Sequence, residues 1–240
     1  MRVVVVNNFD SMSDEVAKLV IAQIRRKPAS VLGLATGSTP LGVYRLLGEY
    51  HKNGEDFSRL LTFNLDEYVG LPGDHPQSYR YYMEENFFSK VGIDRTRTHI
   101  PNGVASDLEA ECRRYDELIR STGGIDLQLL GIGSNAHIGF NEPGTPFGSE
   151  TQVVDLAAST ISDNARFFAS LEEVPTKAIS MGIKSIMQAK SIVLMANGGS
   201  KADAVLAAVK GPVTPDVPAS VLQLHPSVTI VVDQAAASRL

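Results

Sequence analysis

Apolar positions along the chain fall into two alternating patterns. Short unbroken apolar runs occur at RVVVV (2–6), SVLGLA (30–35), LLTFNL (60–65), IDLQLLGIG (125–133), SIVLMAN (191–197) and VTIVVD (228–233). Their length and branched residues suit strands buried on both faces. Between them, apolar residues recur at helical spacing. Over 11–26, Val16, Leu19, Val20 and Ile24 share one side, and helices are also expected over 40–50, 78–88, 106–120 and 200–209. Ser11 with Asp14, and Ser106 with Glu109, have the spacing of a capping box. Strands separated by helices predict an α/β fold: a doubly wound, Rossmann-like, mostly parallel sheet with helices on both faces. No repeat, low-complexity tract or linker interrupts the pattern, so 1–240 reads as a single domain.

In such sheets ligands bind beyond the carboxyl ends of the strands. Four runs end in a polar cluster at that position: ATGSTP (35–40), NLDEYVG (64–70), GIGSNAHIGFNEPG (131–144) and ANGGSK (196–201). Their shared place predicts that they meet on one rim of the sheet. ATGSTP is small, uncharged and rich in hydroxyls. It suits a tight strand-to-helix turn, and it equally suits an anion held at a helix N-terminus. Gly37 permits close backbone approach, Ser38 and Thr39 add donors, and Pro40 fits a first helical position. The stretch lacks the Gly-Lys-Ser/Thr ending of a P-loop.

Composition narrows the partners. The 240 residues carry a formal net charge of -5, with 43% hydrophobic and 20% charged residues. That is ordinary for a folded globular chain. No basic run or basic stripe with interleaved aromatics is present, which argues against nucleic acid. A single cysteine, Cys112, allows no disulfide within the chain and reads as a packed helix residue. The N-terminal apolar run is too short for a signal peptide, and no segment has the length of a membrane span. A cytoplasmic location without membrane contact is expected.

The polar clusters hold the candidate chemistry. His137 sits in a glycine-framed loop with Asn135 and Glu142. Imidazole titrates near neutrality and suits proton transfer, and a carboxylate beside it fixes its tautomer. The alternative is a structural histidine satisfied by backbone. His51, His75, His99 and His225 lack a comparable setting, and no second His or Cys lies at metal-ligand spacing from His137. Asp66 and Glu67 follow a strand directly. Adjacent carboxylates on extended chain face opposite sides, so one can face a pocket and the other the structure; a solvated acidic turn is the alternative. Lys201 and Arg166 are either surface cations or partners for an anion at 36–39.

Together the motifs LGLATGSTPLGVY, TFNLDEYVGL with HPQSY, HIPNG, DLEAECRRYDELI, LLGIGSNAHIGFNEPGTPF, NARFF and ASVLQLH resemble the glucosamine-6-phosphate deaminase (isomerase) family. They span about 30–232. The resemblance implies a modified doubly wound α/β sheet and conversion of glucosamine-6-phosphate to fructose-6-phosphate and ammonia, with no metal or organic cofactor. The expected label is hydrolase or isomerase acting on an amino-sugar phosphate. It implies Asp66 as the base that moves the carbon-2 proton toward carbon 1. It implies His137 as the ring-opening group, with Glu142 as its carboxylate partner. Thr36, Gly37, Ser38 and Thr39 would form the phosphate turn, with Arg166 and Lys201 as its cations, and about 150–180 would be a lid.

The sequence departs from the long, allosteric members in two places. They have Asp where this chain has Asn135. Asn carries no charge, so Asn135 is expected to position His137. The chain stops soon after VTIVVD, whereas the long members have an extension associated with hexamers and with allosteric activation. A monomer or dimer is therefore expected. Two other readings share the architecture: a 6-phosphogluconolactonase, and a sugar-phosphate-sensing domain that binds without turnover. The first lacks the LDEYVGL and HIGFNEP combination. The second would bring a DNA-binding segment, and none is seen.

Overall fold

The computed structural model describes residues 1–157, 161, 168, 170 and 173–240. Part of the expected lid, Arg166 included, lies outside them. Seven strands form one parallel sheet: β1 (Arg2–Val6), β2 (Val31–Leu34), β3 (Leu61–Asn64), β5 (Thr98–His99), β6 (Leu127–Leu130), β9 (Ile192–Ala196) and β10 (Val228–Asp233), in the order β1-β10-β9-β6-β2-β3-β5. All six expected apolar runs are strands of this sheet. The two-residue β5 is too short to leave a pattern in the sequence.

Helices cover both faces. On one face α1 (Phe9–Arg26) and α2 (Leu41–Lys52) bury Met12, Val16, Val20, Ile24, Val43 and Leu47 against Leu32, Leu34, Leu129 and Val193. On the other, α5 (Leu108–Ser121), α6 (Ile183–Met187) and α7 (Ala202–Lys210) bury Tyr115, Ile183 and Val205 against Phe63, Leu130 and Leu194. Alternate strand residues thus enter different cores, which is why these strands are apolar at nearly every position. Among the described residues no helix is long and apolar enough to cross a membrane.

The helix starts differ from the capping-box expectation. Asn8, not Ser11, caps α1, and its side chain accepts the Ser11 N–H at 2.9 Å. Asp107, not Ser106, caps α5 through the Ala110 N–H at 2.9 Å. Each true cap has a side-chain oxygen three residues before the N–H it satisfies, so several polar residues in one stretch compete for the role. Pro40 is itself the N-cap of α2 and offers no side-chain acceptor there.

A second, smaller sheet is new relative to the sequence pattern. It is antiparallel, in the order β4-β8-β7, from β4 (Asp66–Tyr68), β8 (Lys177–Ser180) and β7 (Gln152–Asp155). The sequence reading placed a polar loop where β4 lies. Two of the three β4 residues are acidic, and acidic residues are rarely buried, yet all three are buried here.

Candidate active site

The four polar clusters follow β2, β3, β6 and β9, which are consecutive in the sheet. At about 4.8 Å per strand their ends span about 14 Å, the scale of a small ligand. The chain leaves β2 toward β3 and β5, and leaves β6 toward β9 and β10. The β2/β6 junction is therefore the switch point at which such sheets open a crevice.

Asp66 begins β4 immediately after Leu65 and pairs with Ser180 on β8. Its side chain is buried, and its carboxylate is pushed up to about 8 by burial, with the neighbouring Glu67 charge adding to the effect. Glu67 faces the other way, as extended backbone requires. Its carboxylate accepts the N–H groups of Tyr68 (2.9 Å), Tyr79 (2.8 Å) and Arg80 (3.0 Å). Two of these are opening donors of α3 (Tyr79–Met83), so Glu67 caps that helix together with Ser78. Of two adjacent acids, one is spent on structure. The other is a buried carboxyl whose elevated pKa suits proton transfer.

The loop after β6 lies against Asp66. Phe140 N–H donates to Ser180 Oγ at 3.1 Å. Buried Asn141 donates from Nδ2 to the carbonyls of Ile138 (2.8 Å) and Met181 (2.9 Å). Gly139 holds φ at +58°, and a methyl group there would sit 3.1 Å from Ser180 Oγ and 3.7 Å from Asp66 Oδ2. One end of the loop is thus fixed to the residue that pairs with Asp66.

The other end of the loop orients His137. Its Nδ1 is 3.5 Å from Glu142 Oε1, an ion-pair distance at which no hydrogen bond forms. Asn135 ties the pair together: Nδ2 donates to Glu142 Oε2 at 2.6 Å, and Oδ1 accepts the His137 N–H at 3.2 Å. Ala136, between them, holds a left-handed φ of 66°, which costs an L-residue about 1–2 kcal/mol. Its N–H and C=O are both bonded, to Gly133 O and from Ala219 N, each at 3.0 Å. Gly133 leaves the space that the His137 ring fills. The sequence reading passed over this glycine, although its place in the glycine frame was the available signal.

The turn at 36–39 opens between β2 and α2. Gly37 has φ +96° and, with Ser38, is exposed. The N-cap Pro40 supplies no side-chain hydrogen bond to α2, whose N-terminus is the positive end of the helix. Lys201 stands at the start of α7, two strands away from this turn. Arg166 lies outside the described residues. Among the described residues, no group of three or more His, Cys, Asp or Glu could hold a metal ion. The sequence reading expected the helix that contains α3 but not that its Tyr79 and Tyr82 reach the turn; an aromatic in a short helix carries no signal of that contact.

Comparison with known proteins adds identity to this geometry. Residues 7–231 match the family described as glucosamine-6-phosphate isomerases/6-phosphogluconolactonase. A glucosamine-6-phosphate deaminase of Thermoanaerobacter pseudethanolicus is 57% identical over 99% of this chain and 94% of its own length. One from Clostridium botulinum is 55% identical over 100% of this chain and 99% of its own. A solved structure of a monomeric glucosamine-6-phosphate deaminase superposes with a TM-score of 0.98 at 48% identity, covering 100% of both chains. The 6-phosphogluconolactonase of Trypanosoma cruzi, at 19% identity and a TM-score of 0.81 over 100% of this chain and 96% of its own, shares the fold.

Proposed function

The chain belongs to the glucosamine-6-phosphate isomerase/6-phosphogluconolactonase family, and we infer from that membership that it is a glucosamine-6-phosphate deaminase. It converts glucosamine-6-phosphate and water to fructose-6-phosphate and ammonia. Full-length identity above half with deaminases favours this reading over the lactonase. The relatives' names give deaminase and isomerase; none gives the expected hydrolase label. The observation that carries the chemistry is the buried, elevated Asp66 carboxyl beside a loop that presents His137 and Glu142.

The following assignment of roles is our proposal. The phosphate anchors at Thr36, Gly37, Ser38 and Thr39, with Lys201 and Arg166 supplying positive charge. Anchoring the far end orients the reacting carbons. His137 takes the proton of the anomeric hydroxyl and returns one to the ring oxygen as the pyranose opens. Glu142 stabilises the imidazolium that forms between these steps. Asp66 then removes the carbon-2 proton and delivers it to carbon 1 through an enolamine. The resulting carbon-2 imine takes up water and releases ammonia. No cofactor has a part in these steps. The chain is proposed to act as a monomer or dimer in the cytoplasm; its single cysteine and its likeness to a monomeric deaminase support this.

The direct test is to quantify ammonia and fructose-6-phosphate in one tube containing purified protein and glucosamine-6-phosphate. Equal amounts are expected. Binding without ammonia release would sink the reading, and 6-phosphogluconolactone would be the next substrate.

Asn135 provides a second test. In Asn135→Asp a carboxylate meets the Glu142 carboxylate where an amide now donates at 2.6 Å. Only a protonated Asp can replace that donor. The variant is expected to lose activity at neutral pH and recover toward wild type as pH falls, moving its optimum to the acid side. A pH–rate profile parallel to wild type would show that the Asn135–Glu142 contact does not matter to turnover.

A further inference from the structure

The anion turn contains a lock that the assignment above leaves unused. Gly37 has a left-handed φ of +96°, and nothing lies within 4 Å of where its Cβ would be. Packing therefore does not hold the Gly37–Ser38 peptide, and glycine lets it rotate. A hydrogen bond does hold it: the Tyr82 hydroxyl donates to the Gly37 carbonyl at 2.6 Å. Among the described residues no peptide bond is cis. In a trans peptide the C=O and the next N–H point in opposite directions. Fixing the Gly37 carbonyl on Tyr82 therefore turns the Ser38 N–H away from α3.

Two peptide planes earlier the same device recurs. The buried Tyr44 hydroxyl donates to the Ala35 carbonyl at 2.5 Å, which fixes the Thr36 N–H. The two locks differ in setting. Tyr44 belongs to α2, the helix that the turn opens. Tyr82 belongs to α3, whose first N–H groups are gripped by Glu67, next to Asp66. Burial raises the Tyr82 phenol above its usual range, so the hydroxyl stays a donor.

We propose that Tyr82 is a positioning residue of the anion subsite. It holds the Gly37–Ser38 peptide in the orientation that offers the Ser38 N–H to a phosphate oxygen, and it ties that orientation through α3 to the strand bearing Asp66. The proposal rests on the reading of 36–39 as the phosphate turn. Without the hydroxyl, the peptide is free to flip and present its carbonyl oxygen, which repels an anion.

The test compares wild type, Tyr82→Phe and Tyr81→Phe. Tyr81 is the exposed neighbour on the same helix. Uniformly nitrogen-15-labelled protein is titrated with inorganic phosphate, and the Ser38 amide signal is followed. In Tyr82→Phe, half-saturation is expected at about fivefold more phosphate, the weight of one neutral hydrogen bond. KM for glucosamine-6-phosphate should rise in parallel, with kcat nearly unchanged. Tyr81→Phe should follow wild type. Equal phosphate affinity and equal KM in Tyr82→Phe would overturn the proposal and leave the reading of the turn intact, as would a fall in kcat alone. A wild-type Ser38 amide that ignores phosphate would overturn both.

Discussion

Asp66→Asn is expected to abolish ammonia release and, in the same molecule, to raise the melting temperature. The first effect follows from the role. An amide cannot take a proton from carbon 2, and loss of a positioned base costs about 10²–10⁴-fold in rate. The second follows from burial. The Asp66 carboxyl is pushed up to about 8 in the folded protein, against the ordinary 3.8 of an exposed aspartate. Between these values the folded state keeps a proton that the unfolded state releases, so stability falls as pH rises through that window. The limiting slope is about 1.4 kcal/mol per pH unit. Asn carries no such penalty. The melting-temperature gain of Asp66→Asn over wild type should be absent below about pH 4. It should grow through neutrality and level off above about 8. Melting curves at a series of pH values check this, and a pH-independent gain would remove burial of the ionised form as its cause.

In the role proposed for it, the same carboxyl is expected to set the pH dependence of turnover. In the free enzyme Asp66 is a base only once ionised, so kcat/KM should climb through about 8. In the complex the substrate's amino group, when protonated, lies near the carboxylate and favours its charge. The acid limb of kcat should therefore lie below that of kcat/KM. Coincident limbs would mean that bound substrate leaves the Asp66 equilibrium unchanged.

The sequence made the large sheet readable because each of its six longer strands is a nearly continuous apolar run with both faces covered. It made the rim readable because the polar clusters stop those runs abruptly. The small sheet was not readable. β4 is Asp66, Glu67 and Tyr68, and its burial depends on β8 and on α3, both distant in sequence. Which of the two acids is bound into the structure was likewise undecidable locally; it is settled by the N–H groups of Tyr79 and Arg80, which claim Glu67. The neighbours of His137 were named correctly from the loop, but the strained Ala136 and the space at Gly133 are properties of a path, not of a spacing. Tyr82 shows the limit most plainly. Forty-five positions separate it from Gly37, and nothing in its own segment announces the contact.

Gly133→Ala is expected to disable catalysis as severely as His137→Ala, and the double variant to be no worse than His137→Ala alone. A methyl group on Gly133 would lie 2.3 Å from His137 Cε1, 2.4 Å from Nδ1 and 2.6 Å from Nε2. Real carbon contacts do not come so close, so the ring must leave its place. Gly133 is not among the glycines with positive φ. Alanine therefore meets no left-handed backbone strain, and the nearest atoms it meets are all in the ring. Displacing the ring breaks its 3.5 Å approach to Glu142, and the proton transfers of ring opening lose their carrier. Each single variant should lose about 10²-fold or more in kcat. Once His137 is alanine, the added methyl fills vacated space, so the second substitution should cost nothing further in rate. It should also recover stability that Gly133→Ala loses alone, because the two sites act as one unit. The double-mutant cycle reads both quantities. Losses that simply add would show that Gly133 acts on something other than the imidazole, and that the space at Gly133 is not what aims His137 at the sugar.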